Sequence, residues 1–152
     1  MSKNLADSVF YQSIEIGVVS TQDSKNAQPL FCSELVELIV EPAFHESSVV
    51  GFSHLTQTDY IRVIEGEVVI VTLFNKQLHY FPLDTKMQKF LVIAPRTWHT
   101  LLNPSIYNCH LYNAAQRNRP MHKNDYKPIC LISQKFDWSL VFEALVTKQP
   151  TF

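Results

Sequence analysis

Apolar and polar positions alternate along this chain in short runs closed by turns, and a helical period stands out only once, near the end. The run Leu35-Val-Glu-Leu-Ile-Val40 predicts a buried strand, stopped by Glu41-Pro42, and Val49 to Phe52 opens another. Tyr60 to Ile64 and Val68 to Phe74 are rich in β-branched residues and flank Glu65-Gly66-Glu67, which predicts a hairpin. The chain has only 3 glycines, so one placed between two valine-rich runs marks a turn. Asn75-Lys76 predicts a second turn, leading into a strand from Gln77 to Leu83. Lys89 to Ala94 and Trp98 to Leu102 predict two strands broken by Pro95-Arg96-Thr97, and Tyr107 to Asn113 predicts one more. Residues 8–20 fit either a short helix or a first strand.

After Ala114 the texture changes. Gln116 to Lys127 is polar and basic and reads as a long loop, and Ile129 to Ser133 fits an edge strand. Asp137 is placed to cap a last helix, with Trp138, Val141, Phe142 and Leu145 on one packing face. Many short strands with little helix predict an all-β jelly-roll barrel, a fold that closes around an interior able to hold a ligand. Residues 1–34 then form an N-terminal extension, 35–113 the barrel, and 114–152 a loop and helix packed on it.

Composition narrows the picture. A chain of 152 residues with 46% hydrophobic residues supplies one domain and one sizeable core. A net charge of −1, with neither a basic patch nor an extreme pI, speaks against nucleic acid and anionic membrane as partners. Cys32, Cys109 and Cys130 show no CxxC spacing and suggest reduced thiols. The first residues lack the apolar core of a signal peptide, and no apolar run is long enough to cross a bilayer. A cytoplasmic protein is expected.

The candidate chemistry lies in two segments far apart in the chain. In the first, Phe52-Ser53-His54 is followed by Asp59 and then Gly66; in the second, Pro95 is followed by His99 and Asn103. These resemble the two half-motifs from which a cupin assembles a metal site. From Glu34 to Asn113 the chain is similar to the small cupin-fold metalloproteins of the WbuC type. The resemblance rests on Glu41-Pro42, the spacing of His54, Asp59 and Gly66, the strand ending in Phe74, and Pro95-Arg-Thr-Trp98-His99-Thr100-Leu101. It implies a divalent metal held by His54, Asp59 and His99, a 2-His-1-carboxylate set that suits Fe, with Zn, Mn or Ni as alternatives. Phe52 stands where the motif has its first histidine, and Asp59 is one methylene shorter than the usual glutamate.

His110 and Tyr112 share one face of the strand from Tyr107. If that face lines the barrel, His110 replaces the missing ligand or acts as a base with Tyr112 beside it; otherwise both lie outside. Phe52 and Trp98 either stack on a ligand or pack the wall, and Arg96 either pairs with an anionic substrate or is solvated. His45, His79 and His122 read as surface residues. Three functions remain open. One is a metalloenzyme acting on a small polar molecule such as a carbohydrate or sugar nucleotide. Another is a metal-independent sugar-nucleotide isomerase or epimerase, with His54 or His99 as base and Tyr60, Tyr107 or Tyr112 as acid. The third is a non-catalytic binding protein. A homodimer is expected in each case.

Overall fold

A computed structural model describes residues 4–13, 34–43, 50–117, 129–130 and 135–152. The elements follow in the order α1 (Leu5–Ser8), β1 (Val9–Gln12), β2 (Glu34–Val40), β3 (Val50–Gly51), β4 (Gln57–Glu65), β5 (Glu67–Phe74), β6 (Gln77–Asp84), β7 (Phe90–Ile93), β8 (His99–Leu102), β9 (Cys109–Arg117), β10 (Ile129–Cys130) and α2 (Trp138–Thr147). The architecture is the predicted all-β jelly roll with a short C-terminal helix. An antiparallel sheet ordered β1-β7-β4-β9-β2 faces a second ordered β6-β5-β8, and β10 pairs with β3. No helix among the described residues is long and apolar enough to cross a membrane.

Two layers of burial explain the apolar runs. Ile61, Val63, Val68, Ile70, Phe81, Leu83, Leu91, Ile93 and Leu111 meet between the sheets as the barrel core. On the outside of the three-stranded sheet, Val69, Val71, Leu78, Tyr80 and Leu102 are covered by Val141, Ala144 and Leu145 of α2. Val68 to Val71 are therefore wholly buried on both faces, which is why their sequence does not alternate. Asp137 caps α2 as predicted, accepting from the N–H groups of Ser139 at 3.1 Å and Leu140 at 3.4 Å. Its own N–H donates to the Tyr80 hydroxyl at 2.8 Å, tying the helix start to β6. Val141 and Leu145 of the predicted stripe are buried, whereas Phe142 is exposed.

Two expectations need correction. The chain does not fold back as a hairpin at Gly66: β4 pairs with β7 and β9, while β5 pairs with β6 and β8. Gly66 instead carries the chain from one sheet to the other, with φ +85 and the Asn108 carbonyl 3.2 Å from where a Cβ would sit. A register shift between Val63 and Glu65 adds to that corner. The tight hairpin is at Asn75-Lys76, whose φ values of 50 and 65 match a type I′ turn joining β5 to β6. β2 is an edge strand, with Leu38 and Val40 against the core and Leu35 and Ile39 exposed. Cys109 is buried, and burial, with the nearby Glu67 charge, pushes its thiol up to about 11. Cys32 lies outside the described residues.

Candidate functional site

The two motif segments meet at one end of the barrel because backbone pairing brings them there. The Phe52 N–H donates to the His99 carbonyl at 2.8 Å, and the His99 N–H donates to the Phe52 carbonyl at 2.9 Å. One turn earlier, the Arg96 N–H donates to the His54 carbonyl at 2.6 Å from a left-handed backbone, φ 61. Gly51 permits this approach, since a Cβ there would run into the Trp98 indole and the His99 carbonyl. Asp59 reaches the same point from the start of β4.

The result is one buried cluster of two imidazoles and a carboxylate. Asp59 Oδ2 lies 3.2 Å from His54 Nε2 and 3.3 Å from His99 Nε2. The two imidazole rings are 5.4 Å apart between centroids. His54, Asp59 and His99 are 6%, 0% and 7% exposed, so water does not screen the charges between them. The other carboxylate oxygen is committed elsewhere: Oδ1 accepts from Gln57 Nε2 and, at 3.1 Å, from Asn113 Nδ2. Gln57 is steadied in turn by Arg117, whose Nε donates to its Oε1 at 2.8 Å. Burial alone would push the Asp59 carboxyl up. The imidazoles of His54 and His99 outweigh it and hold the group well below the usual carboxylate range.

The tautomer of His99 follows from its surroundings. Its Nδ1 lies 2.9 Å from the Thr97 carbonyl oxygen, which can only accept, so Nδ1 carries the hydrogen. In the neutral ring, Nε2 then turns a lone pair toward Asp59. Oδ2 itself is buried without a hydrogen bond of acceptable geometry. Acceptors that face each other in a dry site need a cation between them, either a proton or a metal ion. One nitrogen from each histidine and one oxygen of Asp59 all lie within 4.8 Å of one another. The donor set and the orphaned oxygen therefore fit a divalent metal, with Thr97, Gln57 and Asn113 orienting the ligands from behind.

The remaining sequence candidates divide. Phe52 stands opposite His99 in the pairing, so its exposed ring shares the face of the cluster and forms part of its rim. Trp98 points the other way, packed in the outer layer with Val69 and Leu102 near α2; it is a wall residue and not a stacking platform. The Arg96 side chain is exposed on the turn, and its contribution to the cluster is the backbone link to His54. His110 does not stand in for the missing ligand. Cys109 and Leu111 take the inner face of β9, and Asn113 follows them to Asp59. His110 is left outside, 3.9 Å from Glu37. Tyr112 is exposed on that outer face, and Tyr60 is bonded there to Gln116 at 3.1 Å. Tyr107 is also exposed, so none of the three expected tyrosine acids lines the cluster. His79, read as a surface residue, is buried on β6. His45 and His122 lie outside the described residues. Gln57 and Asn113 were missed; for Asn113 the available signal was its place two positions from the apolar inner residue Leu111 on the same strand.

The sequence matches no protein-family model and no curated protein. Several solved structures are similar in fold. A mutant of the 3,4-ketoisomerase QdtA from Thermoanaerobacterium thermosaccharolyticum, in complex with TDP-4-keto-6-deoxyglucose, is 16% identical, with 90% of this chain and 94% of that chain covered and a TM-score of 0.54. A 3,4-ketoisomerase from Helicobacter canadensis is 14% identical over 90% of this chain and 92% of that chain, TM-score 0.52. WlaRA, a TDP-fucose-3,4-ketoisomerase from Campylobacter jejuni, is 13% identical over 89% and 93%, TM-score 0.51. Likeness at this level establishes the fold, a cupin jelly roll.

Proposed function

We propose that this cupin-fold protein binds a divalent metal on His54, Asp59 and His99 and acts there on a sugar nucleotide or a related polar small molecule. The observation that carries the metal is Asp59 Oδ2, buried without a hydrogen bond and faced by two imidazole nitrogens at 3.2 and 3.3 Å. Two imidazoles and a carboxylate suit Fe(II), with Zn, Mn and Ni as alternatives. When bound, such an ion supplies Lewis acidity toward a carbonyl or a bound water. The chain's own residues do the rest. Thr97 keeps the His99 hydrogen on Nδ1, Gln57 and Asn113 hold Asp59 oriented, and burial keeps water from competing. The ligand class is supported by the similar structures, which are named as isomerases of TDP-linked or keto sugars. Elemental analysis of protein purified without a histidine tag tests the reading. Near-stoichiometric metal that disappears in His99→Ala is expected; trace metal indifferent to that change would sink it.

A second reading keeps the ligand and dispenses with the metal. Here a proton occupies the position between Asp59 and an imidazole, and His54 and His99 shuttle it next to a carbonyl. The fold likeness to sugar ketoisomerases favours it; the absence of Tyr60, Tyr107 and Tyr112 from the cluster counts against it. Turnover of a TDP-keto sugar that survives exhaustive chelation would select this reading over the first.

A further inference from the structure

Two buried polar side chains stand on the inner wall beside the cluster without belonging to it. On β5 the inner positions run Val68, Ile70, Thr72, and on β6 they run Leu83, Phe81, His79. Thr72 lies opposite His79 on one side and opposite His99 on the other. Directly opposed residues of antiparallel strands point to the same face, so His79, Thr72 and His99 form one row across the sheet. Thr72 is 0% exposed, and its Oγ1 has no hydrogen-bond partner. His79 is 8% exposed, and its Nδ1 likewise has none.

His79 is held in place. Its ring bonds to the Phe74 backbone, and the rings of Phe74 and Phe152 stand edge-on to it at 6.4 and 5.2 Å. A neutral imidazole offers one donor and one acceptor nitrogen, and Thr72 Oγ1 beside it can donate and accept, so the pair can meet one hydroxyl. A purely structural wall would place valine at position 72 and carbon at the ring edge, since buried polar atoms without partners weaken a fold. Such atoms in a row beside a reactive cluster are the arrangement a polar ligand completes.

We propose that Thr72 and His79 form a hydroxyl-binding subsite on the wall beside His99, in which one ligand O–H donates to His79 Nδ1 while its oxygen accepts from Thr72 Oγ1. The inference rests on the sugar-nucleotide reading above for its ligand, and it adds the residues that recognise the sugar rather than the nucleotide. Opposed side chains on paired strands are about 5 Å apart at Cβ, a span that one hydroxyl bridges.

The test compares TDP-glucose with TDP by calorimetry on the wild-type protein, Thr72→Val and His79→Phe, with metal content measured alongside. Wild type is expected to bind TDP-glucose more tightly than TDP. Each variant is expected to weaken TDP-glucose about tenfold while leaving TDP affinity and metal content unchanged. Equal weakening of both nucleotides, or of neither, overturns the subsite. A ligand-free readout stands beside it: Thr72→Val keeps the shape and removes an unpaired hydroxyl, so its melting temperature should rise. A fall shows a structural hydrogen bond and overturns the proposal. If wild type binds neither nucleotide, the sugar-nucleotide reading has failed, and the Thr72→Val melting temperature alone decides whether the wall is built for a ligand.

Discussion

On five strands of the barrel, a step of two residues carries the inner face from apolar to polar. Ile61 gives way to Asp59 on β4, Ile70 to Thr72 on β5, Phe81 to His79 on β6, Leu101 to His99 on β8 and Leu111 to Asn113 on β9. The apolar layer has one task, burial, and Ile61, Ile70 and Leu111 are at most 2% exposed. The polar layer is more open at Asn113, yet the buried atoms Asp59 Oδ2, Thr72 Oγ1, His79 Nδ1 and Asn113 Oδ1 have no hydrogen-bond partner in it. A layer selected for stability alone would not tolerate four such atoms. The difference teaches that the barrel divides by depth, with apolar packing in one layer and buried, unpartnered polar groups in the next.

The largest effect should come from the apolar layer. Ile70→Ala removes a wholly buried side chain from the centre of the core and should cost about 2–5 kcal/mol, read as a lower midpoint in urea unfolding. The contrast with Thr72→Val, expected to stabilise, is the sharpest form of the comparison. A loss below about 1 kcal/mol for Ile70→Ala would mean that the layer collapses around the gap and that depth does not divide the two roles.

Within the polar layer, Asp59→Asn keeps the shape and removes the charge. It should weaken metal binding by at least about 100-fold, and chelator competition measures it. Asn113→Ala acts one step back, freeing Asp59 Oδ1 from one of its donors, and should cost about tenfold. An Asn113→Ala loss as large as that of Asp59→Asn would place Asn113 among the ligands instead of behind them.

Much of this layer was readable before any coordinates, and the unreadable part has a definite cause. His54, Asp59 and His99 stood out because their spacing around Gly66 and Pro95 is set by the turns that bring them together. Thr72 and His79 did not, since a polar residue on a strand faces inward or outward according to register, and register depends on partners distant in the chain. The same uncertainty covered His110 and Tyr112, which one extra residue of offset would have turned inward. Glu65-Gly66-Glu67 misled for another reason. A glycine between two β-branched runs marks a reversal, but the residues do not say whether the strands pair or part into different sheets. Trp98 and His99 show how close the two outcomes lie, because neighbours in sequence serve the helix-covered wall and the cluster respectively.

The smallest predicted effect separates the two ends of the barrel by their carboxylates. At the far end from the cluster, Asp84 pairs across β5 with Glu67. Its Oδ2 lies 2.8 Å from Lys148 Nζ, and its Oδ1 accepts from the N–H groups of Lys86 at 2.9 Å and Met87 at 3.1 Å. Burial pushes this carboxyl up, but Lys148 and the two N–H groups outweigh it, so it ionises more readily in the folded protein than in the unfolded chain. A carboxylate lowered on folding stabilises the protein above its ordinary range near about 4, and that stability fades as pH falls through the lowered value. Asp84→Asn should therefore cost about 1 kcal/mol at neutral pH, lose nothing at strongly acid pH, and leave metal content untouched. Urea midpoints measured from pH 7 downward provide the check: the wild-type and variant curves should converge as the solution is acidified. Parallel curves would show that Asp84 titrates alike in both states. The acid sensitivity left in the variant belongs in part to Asp59, and a bound metal should steepen it, because protons compete with the ion for His54, Asp59 and His99.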